Sequence, residues 1–388
     1  MCAEMVVAGH LCLDISPKFH EHHQFDQIFS PGRLTMVDRA CISLGGAVAN
    51  TGLAARKLGV DVVLMAKFGK DYFGKIITEF LANASVKNRM SIASDVSSSY
   101  TIALNPPGTD RIFLHHPGAN DYFSVTDLDM AEIGQSRLFH FGYPPLMKSL
   151  YSNNGEELLE ILSRVKETGA TTSLDLAMPD PQTESGRVNW EKILTSIAPF
   201  VDVFLPSYEE LYFMLAHERY LKWRSQKQTQ DLSAQVDFGL VREFAQKLQG
   251  LGMGAIVIKA GKNGIYLRTP PRPRLRSFGR VSLAAEWIDQ ELWAEAYEPP
   301  VFVSSTGAGD CAIAGFLTAL LRNHDPREAV KLATIAGCMN LGADDSISGL
   351  GDWPRLVGEL NHGTTPHHHL QLSRHGYTQI ADGLWSAA

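Results

Sequence analysis

The sequence is poor in cysteine and has no long apolar run. Its 388 residues include five cysteines, an odd number with no C-x-x-C spacing, at Cys2, Cys12, Cys41, Cys311 and Cys338. This pattern argues against a disulfide framework or a structural zinc site and indicates a reduced, cytoplasmic protein. No stretch reaches about 18 apolar residues, so we expect no transmembrane helix. The first residues lack a basic start followed by an apolar segment, and we therefore expect no signal peptide.

The sequence also lacks a run of basic residues. It has 35 Lys and Arg residues against 42 Asp and Glu residues, which gives a formal net charge of −7. We therefore expect neither nucleic acid nor an anionic membrane surface as a partner. A small anionic substrate would need backbone donors or a cation to offset this charge. The histidine clusters near residues 20–23 and at 367–369 lie in polar, weakly periodic segments, which favours solvated loops over a metal site.

Short β-branched runs alternate with helical patterns along the chain. Strands that alternate with helices of this length indicate βαβ units and a mostly parallel sheet, buried on both faces, in one α/β domain over residues 1–388. The predicted strands are 5–8, 60–66, 138–141, 171–174, 201–205, 255–259 and 264–267. The predicted helices are 47–58, 73–83, 155–168, 208–215, 240–251, 310–322 and 327–337.

Two stretches interrupt this alternation, at residues 15–43 and 97–116. Both contain strand-like runs separated by turn residues, and each follows a core element and returns to it. We interpret them as a small β-sheet that folds as a lid over one end of the main sheet, where it would exclude water. The segments 216–237 and 268–298 look like elaborations of the core, and residues 354–388 form a polar C-terminal extension of unknown role.

The most informative motif is Thr-Gly-Ala-Gly-Asp-Cys, from Thr306 to Cys311. A strand-like run at 300–303 precedes it, and apolar residues at helical spacing follow it. A glycine-rich turn at a helix start exposes free N–H groups at the positive end of the helix dipole, which suits an anion. Asp310 would repel a phosphate, so it suits a different task, which is to accept a proton from an attacking hydroxyl. The alternative is an ordinary tight turn in which Asp310 is a first-turn carboxylate.

Two further motifs place polar residues at the ends of predicted elements. Asp14 follows the first strand and Gly9, and ligands of open α/β sheets lie at the carboxyl ends of strands. Its carboxylate can accept hydrogen bonds from two neighbouring hydroxyls. Gly45 and Gly46 open a helix of small residues and allow close approach of a ligand, and Asn50 lies one turn later. The alternatives are a turn aspartate and a glycine-rich helix start that serves packing.

Four motifs occur in an order that resembles the ribokinase-like (PfkB) family of sugar kinases. They are Gly9…Asp14, Gly45-Gly46…Asn50, Gly69-Lys-Asp-Tyr-Phe-Gly74 and Thr306-Gly-Ala-Gly-Asp310. The resemblance runs from about Val6 to Ser346, whereas the first βα unit lacks the Gly-x-Gly-x-x-Gly of a dinucleotide-binding turn. It implies a ribokinase-like three-layer α/β/α fold with a mostly parallel central sheet and a small β-sheet lid. It also implies a kinase that uses ATP and Mg²⁺ to phosphorylate a hydroxyl of a sugar or sugar-like alcohol.

The resemblance implies roles for individual residues. Asp310 resembles the catalytic base, and the amides of Gly307, Ala308 and Gly309 resemble an anion hole for the phosphoryl oxygens. The residues that resemble the sugar-binding set are Asp14, Gly45, Gly46 and Asn50. Those that resemble the nucleotide-binding set are Lys259, Gly261, Gly264, Thr306 and Gly337. Glu210 would organise Mg²⁺ through water.

The sequence departs from the family pattern at three positions. Ser207 stands where an Asn-x-x-Glu pattern has asparagine, and Ala177 stands where an Asp-x-Asn pattern has its asparagine. Ser304 occupies a position that is often aspartate. In many members the loop near these residues holds a monovalent cation, and the matching residues here are Gly337, Asn340, Gly342 and Ser346. We leave open whether their backbone carbonyls bind K⁺.

Two other functions remain open at this stage. A nucleoside kinase would use the same turn and base but would need an aromatic clamp for the nucleobase, for which Phe25, Tyr100 and Phe113 are candidates. The substitutions at Ser207 and Ala177 also suit a sugar-binding regulatory protein with weakened catalysis.

The sequence does not reveal which sugar is bound. Specificity would depend on side chains of the lid, and Arg111 and the segment 115–120 are candidates for contact with the substrate, although both fit ordinary strand ends. A small sheet of this kind exposes an edge or a face, so we expect a homodimer formed through the lid.

Overall fold

The computed structural model describes residues 3–20, 28, 30–106, 112–226, 236–362, 366–367 and 370–387. Within these ranges the strands, numbered along the chain, are β1 (Met5–Gly9), β2 (Cys12–Lys18), β3 (Asp38–Gly45), β4 (Val62–Met65), β5 (Lys67–Gly69), β6 (Lys87–Asn88), β7 (Ser91–Ala93), β8 (Tyr100–Leu104), β9 (Ile112–His116), β10 (Leu138–Gly142), β11 (Thr171–Leu174), β12 (Val203–Phe204), β13 (Ala255–Lys259), β14 (Ile265–Arg268), β15 (Glu291–Ala294), β16 (Tyr377–Ala381) and β17 (Leu384–Ala387).

The helices of the same ranges are α1 (Ala47–Lys57), α2 (Tyr72–Asn83), α3 (Met130–Ile133), α4 (Lys148–Tyr151), α5 (Glu156–Glu167), α6 (Trp190–Ile197), α7 (Tyr208–Leu215), α8 (His217–Gln226), α9 (Phe238–Gly250), α10 (Arg272–Leu275), α11 (Ala308–Leu321), α12 (Pro326–Asn340) and α13 (Trp353–His362). None of these described helices combines the length and the apolar character needed to cross a bilayer.

The main sheet has eleven strands in the order β16, β17, β15, β14, β13, β12, β11, β10, β1, β4 and β6. From β6 to β13 each strand is parallel to its neighbour. The other four strands extend the sheet at the β13 edge with antiparallel pairing. The carboxyl ends of the parallel strands therefore meet along one edge of the sheet, where a ligand site is expected.

Side chains of the central strands are buried on both faces of the sheet. In β1, Met5 and Val7 belong to one apolar core, whereas Val6 and Ala8 belong to the other. Helices α1, α2, α11, α12 and α13 contribute to the first core, and α5, α6, α7 and α9 contribute to the second. The predicted three-layer α/β/α fold with a mostly parallel sheet is confirmed.

A second sheet contains β3, β2, β8 and β9 in that order. β2 is antiparallel to β3 and parallel to β8, and β8 is antiparallel to β9. The chain leaves β1 at Gly9, enters this sheet at Cys12 and returns at Gly45 to the start of α1. The small sheet thus lies beside the carboxyl end of β1. Parts of the two predicted lid segments, residues 21–27, 29 and 107–111, are outside the described ranges.

The strand-like run at 300–303 is not a strand. These residues form no strand, and Val301, Phe302 and Val303 are 65%, 66% and 50% exposed. Two physical reasons account for this. Pro299 and Pro300 have no N–H to donate to a neighbouring strand. The edge of β15 is already paired with β17, which comes from the C-terminal residues of the chain.

Segments predicted to be elaborations or extensions of the core contribute strands and buried side chains to it. β15 lies within 268–298, and Trp287 and Trp293 of that segment are fully buried. The C-terminal extension contributes β16 and β17, with Trp385 opposite Trp293 in the ladder. Helix α8 forms the start of the 216–237 segment, of which residues 227–235 are not described.

Candidate active site

The turn at 306–310 begins α11. Gly307 has a φ of 70°, and a Cβ added there would lie 2.1 Å from the carbonyl oxygen of Ser346, so only glycine fits. The helix starts at Ala308 with no side-chain hydrogen bond to its N-terminus. The Ala308 N–H donates to the Ser305 carbonyl oxygen at 3.3 Å. Because no side chain caps this end of the helix, its positive dipole end can still face an anion.

Asp310 lies in the first turn of α11 and is buried, with 5% of its surface exposed. Asn50 Nδ2 donates to its Oδ2 at 3.1 Å, and Thr51 Oγ1 donates to its Oδ1 at 3.2 Å. The Tyr143 hydroxyl lies 2.8 Å from Oδ1 and 2.9 Å from Oδ2. Burial raises the pKa of Asp310, and these hydrogen bonds, with the nearby charge of Lys259, reduce that rise without cancelling it.

Tyr143 is a residue of this cluster that sequence reasoning missed. It directly follows β10, the neighbour of β1, and its φ of 64° is in the left-handed region. That conformation is unfavourable for a bulky residue and persists only where surrounding contacts enforce it. Burial and the charge of Asp310 raise the pKa of Tyr143, so the phenol stays protonated and donates. Its position after a buried strand at the carboxyl edge of the sheet is the signal that could have indicated it.

A charged cluster lies beside Asp310. Lys259, at the end of β13, donates from Nζ to Asp175 Oδ1 at 2.9 Å and also to the carbonyl oxygen of Leu205. Its stem lies close to the anion-binding turn, since a Cβ added at Gly309 would be 3.6 Å from Lys259 Cε. Burial alone would lower the pKa of Lys259, but the neighbouring carboxylates, Asp175 first, outweigh burial and raise it. The Lys259 ammonium therefore stays protonated, and its stem lies close to the turn that begins α11.

Glu210 is oriented by a capping box at the start of α7. Its Oε2 accepts a hydrogen bond of 2.6 Å from Ser207 N, and Ser207 Oγ accepts one of 3.2 Å from Glu210 N. Burial raises the pKa of Asp175. The charge of Lys259 opposes this rise, and repulsion from Glu210 and Asp310 adds to it. The carboxyl groups of Asp175, Glu210 and Asp310 thus all interact with the single ammonium of Lys259.

This donor set fits Mg²⁺. The ion prefers oxygen ligands and is usually bound by one or two carboxylates together with substrate phosphates and water. Within the described ranges no three acidic, histidine or cysteine side chains converge as direct ligands. That arrangement suits an ion that is held largely by a nucleotide, and the candidate protein ligands are the carboxyl groups of Asp175 and Glu210, which both act on the pKa of Lys259.

The polar residues of the small sheet form a second cluster, around Asp14. Asp14 Oδ1 accepts from Cys12 Sγ at 3.2 Å, and a Cβ added at Gly45 would lie 2.1 Å from Asp14 Oδ2. Gly45 therefore provides the space that this carboxylate occupies. Burial raises the pKa of Asp14, while the hydrogen bonds from Cys12 and Thr101 lower it.

His10 and His115 belong to the same cluster. Their Nε2 atoms are 3.4 Å apart, and the ring centroids of His10 and Tyr143 are 6.1 Å apart. Gly46 has a φ of 86°, and a Cβ added there would lie 2.5 Å from His10 Nδ1. Burial is the main reason that the pKa of His10 lies well below its usual range and that of His115 falls to about 4. Both rings are neutral near pH 7, and sequence reasoning missed His10 because nothing marks it as more than a residue after a strand.

The three aromatic candidates for a nucleobase clamp differ in their surroundings. The ring of Tyr100 packs against Phe73 with a centroid distance of 5.3 Å, and Phe113 on β9 is 56% exposed. Phe25, the third candidate, lies outside the described residues, and so does Arg111, a candidate for contact with the substrate.

The predicted nucleotide-binding residues come from the end of β13 and the turn after it, from the turn before α11 and from helix α12. Gly261 and Gly264 form the turn between β13 and β14, with φ values of 56° and 90°. Gly337 on α12 is packed under α11, since a Cβ there would lie 3.0 Å from the Ala308 carbonyl oxygen. A cavity of about 670 Å³ opens beside this helix pair, and its lining includes Val301, Cys338, Met339, Gly342 and Arg355. This volume can hold the base and ribose of a nucleotide.

Several polar atoms at and beside the residues matched to a monovalent-cation site are paired with one another. Asn340 Nδ2 donates to the carbonyl oxygen of Thr306 at 2.8 Å and to that of Asp345 at 3.0 Å. The Ser346 carbonyl oxygen accepts from Cys311 Sγ at 3.3 Å. The carbonyl oxygens of Thr306, Asp345 and Ser346 therefore each accept a hydrogen bond from a side chain.

Comparison with known proteins identifies relatives over most of this length. A family model described as pfkB family carbohydrate kinase matches residues 3–351. An uncharacterized sugar kinase of Archaeoglobus fulgidus is 24% identical over 276 residues, which are 71% of this chain and 89% of that protein. Probable fructokinase-6, chloroplastic, of Arabidopsis thaliana is 24% identical over 319 residues, which are 79% of this chain and 71% of that protein. The structure of Arabidopsis thaliana ribokinase complexed with ribose and ATP is similar with a TM-score of 0.68 at 16% identity, over 93% of this chain and 99% of that one.

Proposed function

The chain belongs to the pfkB family of carbohydrate kinases, and from this premise we propose that it transfers the γ-phosphoryl group of ATP to a hydroxyl of a sugar or sugar-like alcohol. One observation carries the proposal. The Asp310 carboxylate lies at the uncapped N-terminus of α11 and already accepts a hydrogen bond of 2.8 Å from a hydroxyl, that of Tyr143. A substrate hydroxyl can therefore donate to Asp310 while a phosphoryl oxygen accepts from N–H groups of the same first turn of α11.

We assign the role of general base to Asp310. The acceptor hydroxyl gives its proton to this carboxylate as its oxygen attacks the phosphorus. Asn50 and Thr51 hold one oxygen each, which fixes the orientation of the carboxylate. Burial makes Asp310 more basic than an exposed aspartate, while its hydrogen-bond donors favour the ionised form that a base requires.

The turn that begins α11 supports binding of the phosphoryl group. The amides of Gly307, Ala308 and Gly309 are the proposed anion hole, and one such donor commonly contributes about 3 kcal/mol to the transition state. Lys259 adds a positive charge close to Gly309. Glu210 and Asp175 would hold Mg²⁺, which when bound neutralises negative charge on the phosphoryl oxygens.

The two substrates are assigned to opposite sides of Asp310. Asp14, Gly45, Gly46 and Asn50 lie on the side of the small sheet and form the proposed sugar site. The small sheet would act as the lid that excludes water from the reaction. We assign Lys259, Gly261, Gly264, Thr306 and Gly337 to the nucleotide site. None of them lines the 670 Å³ cavity, but Cys338, which directly follows Gly337 on α12, does.

The small sheet also supports a homodimer. Five large apolar side chains on or beside it are 43–84% exposed, and they are Leu34, Met36, Ile42, Phe113 and Leu114. Exposed apolar residues grouped in this way are typical of protein contacts. We propose that two copies of the chain cover them by lid-to-lid contact.

A panel assay tests the proposed function. ADP formation is measured with ATP and Mg²⁺ against neutral sugars, sugar acids and nucleosides, for the wild type, Asp310→Asn and Asp325→Asn. Asp325 caps α12 and makes the matched control, because asparagine is an equally good N-cap. We expect turnover of at least one sugar, a loss of roughly 10²- to 10⁴-fold in Asp310→Asn with ATP binding retained, and no change in Asp325→Asn.

Two results would change the assignment. Undiminished turnover in Asp310→Asn would remove that residue from the role of base. Turnover of nucleosides alone would identify a nucleoside kinase, and retained sugar binding without ADP formation across the panel would identify a regulatory protein.

A further inference from the structure

We propose that this kinase works without a monovalent cation, because the side-chain amide of Asn340 takes the position between backbone carbonyls that such a cation would occupy. Asn340 is the last residue of α12 and is fully buried. Its Nδ2 bridges the carbonyl oxygens of Thr306 and Asp345, at 2.8 and 3.0 Å. Its Oδ1 accepts a hydrogen bond from Gly349 N at 3.1 Å. Both polar atoms of this amide therefore have partners.

The bridged carbonyls join the phosphate-side turn to the loop that follows α12. Thr306 directly precedes the glycine of the anion-binding turn, and Asp345 lies in the loop that packs against Gly307. A bound cation would join these two segments through the same carbonyl oxygens. The Asn340 Nδ2 lies within hydrogen-bond distance of both carbonyl oxygens, so an ion that bridged these two oxygens would need the position that the amide fills.

The surrounding side chains supply little additional negative charge for a cation. Ser304 stands at the position that is often aspartate in the family that the sequence resembles, so the charged ligand is absent there. Its Oγ lies 2.8 Å from Thr306 Oγ1 and accepts from Thr306 N at 3.1 Å. Asp345 Oδ1 accepts from the amides of Ile347 and Ser348 at 3.0 and 2.7 Å, within its own loop.

A cation could enter only if the Asn340 amide turned away from both carbonyls. That movement would leave buried N–H groups without acceptors, which is unfavourable in a protein interior. The amide already connects Thr306, Asp345 and Gly349 without any charge to desolvate. Asn340 is thus a positioning residue that holds the turn next to Asp310, and it does not touch the substrate itself.

The first experiment needs no turnover, so it is independent of the proposed function. The melting temperature of the full chain and its affinity for a non-hydrolysable ATP analogue are measured in the chlorides of K⁺, Na⁺ and tetramethylammonium at equal ionic strength. We expect melting temperatures that agree within about 1 °C and dissociation constants that agree within about twofold, because no ion binds the folded state specifically. A rise in melting temperature or in affinity that is specific to K⁺ would overturn the proposal.

The variant Asn340→Asp tests whether the amide occupies the cation's position. The substitution keeps the shape of the side chain but replaces the N–H donor by a carboxylate oxygen, which repels both carbonyls and attracts a cation. We expect this variant to melt lower than the wild type in tetramethylammonium and to regain stability and ATP affinity in K⁺. Asn323→Asp, an exposed asparagine between α11 and α12, is the matched control and should show no response to K⁺.

Each outcome decides the proposal. An Asn340→Asp protein that responds equally to all three salts would show that the amide does not lie in a cation-competent position. If that variant fails to fold in every salt, the comparison of salts in the wild type remains decisive. If the wild type turns over no substrate, the proposed function fails, yet the melting and binding measurements still decide the role of Asn340.

Discussion

Replacing Tyr143 by phenylalanine removes the hydroxyl that donates to both oxygens of Asp310, at 2.8 and 2.9 Å. The backbone conformation and the ring stay the same, so the change is confined to one donor. A hydrogen bond to a charged group is worth about 1.5–3 kcal/mol. In the wild type this hydrogen bond favours the ionised carboxylate. Its loss in the variant therefore raises the pKa of Asp310 further.

The expected result is a change in the pH dependence of kcat/KM. A base works only when ionised, so activity falls as the pH drops through the pKa of Asp310, and a higher pKa moves this fall to higher pH. At a pH on the acidic limb, Tyr143→Phe should lose roughly 10- to 100-fold in kcat/KM, which corresponds to the energy of one charged hydrogen bond. At alkaline pH the variant should approach the wild type.

The assay is a pH series of kcat/KM with the sugar identified in the panel, together with thermal melting to show that the variant folds. Tyr266→Phe, at a fully buried tyrosine of β14, is the matched control and should leave the profile unchanged. An unchanged acidic limb in Tyr143→Phe, or a shift to lower pH, would refute the role given to this hydroxyl.

Three further predictions concern the turn, the charged cluster and the small sheet. Gly307→Ala places a Cβ 2.1 Å from the Ser346 carbonyl oxygen at a φ of 70°. We therefore expect a stability about 1–3 kcal/mol lower by urea unfolding, together with loss of ATP binding. An ATP affinity equal to that of the wild type would contradict this prediction. Lys259→Met leaves Asp175 buried without its partner, so we expect a loss of about 3–5 kcal/mol in stability. Because the pKa of Asp175 is raised in the folded state, that loss should be smaller at pH 5 than at pH 8, and unfolding curves at both pH values check the sign. Phe113→Asp should convert the proposed dimer to a monomer in sedimentation, and an unchanged dimer would place the contact elsewhere.

The fold was largely predictable because its central strands are continuous apolar runs with helices between them. The run at 138–141 reads as a buried strand, and β10 occupies it. The antiparallel edge was not predictable in the same way. β15 and β17 are short, and the partner of Trp385 is Trp293, more than 90 residues away. The run at 300–303 has the composition of a strand, yet the sheet edge beside β15 is taken by β17.

The candidate site was predictable where a motif marks it and not where only packing brings residues together. Asp310 and Asn50 stand in glycine-containing motifs, and the structure places them 3.1 Å apart although the sequence separates them by 260 positions. Tyr143 and His10 have no motif, and only the meeting of strand ends brings them to the cluster. The role of Asn340 depends on the direction of its amide, which no sequence pattern encodes.

The most direct measurement is a single-turnover, rapid-quench experiment in which enzyme in excess is mixed with labelled ATP, Mg²⁺ and the identified sugar. In the wild type the label should pass from ATP to the sugar hydroxyl in one fast phase. In Asp310→Asn, bound ATP should stay intact over the same time while calorimetry shows nearly the same affinity for ATP. Formation of sugar phosphate by Asp310→Asn at the wild-type rate would contradict the assignment of Asp310 as the proton acceptor.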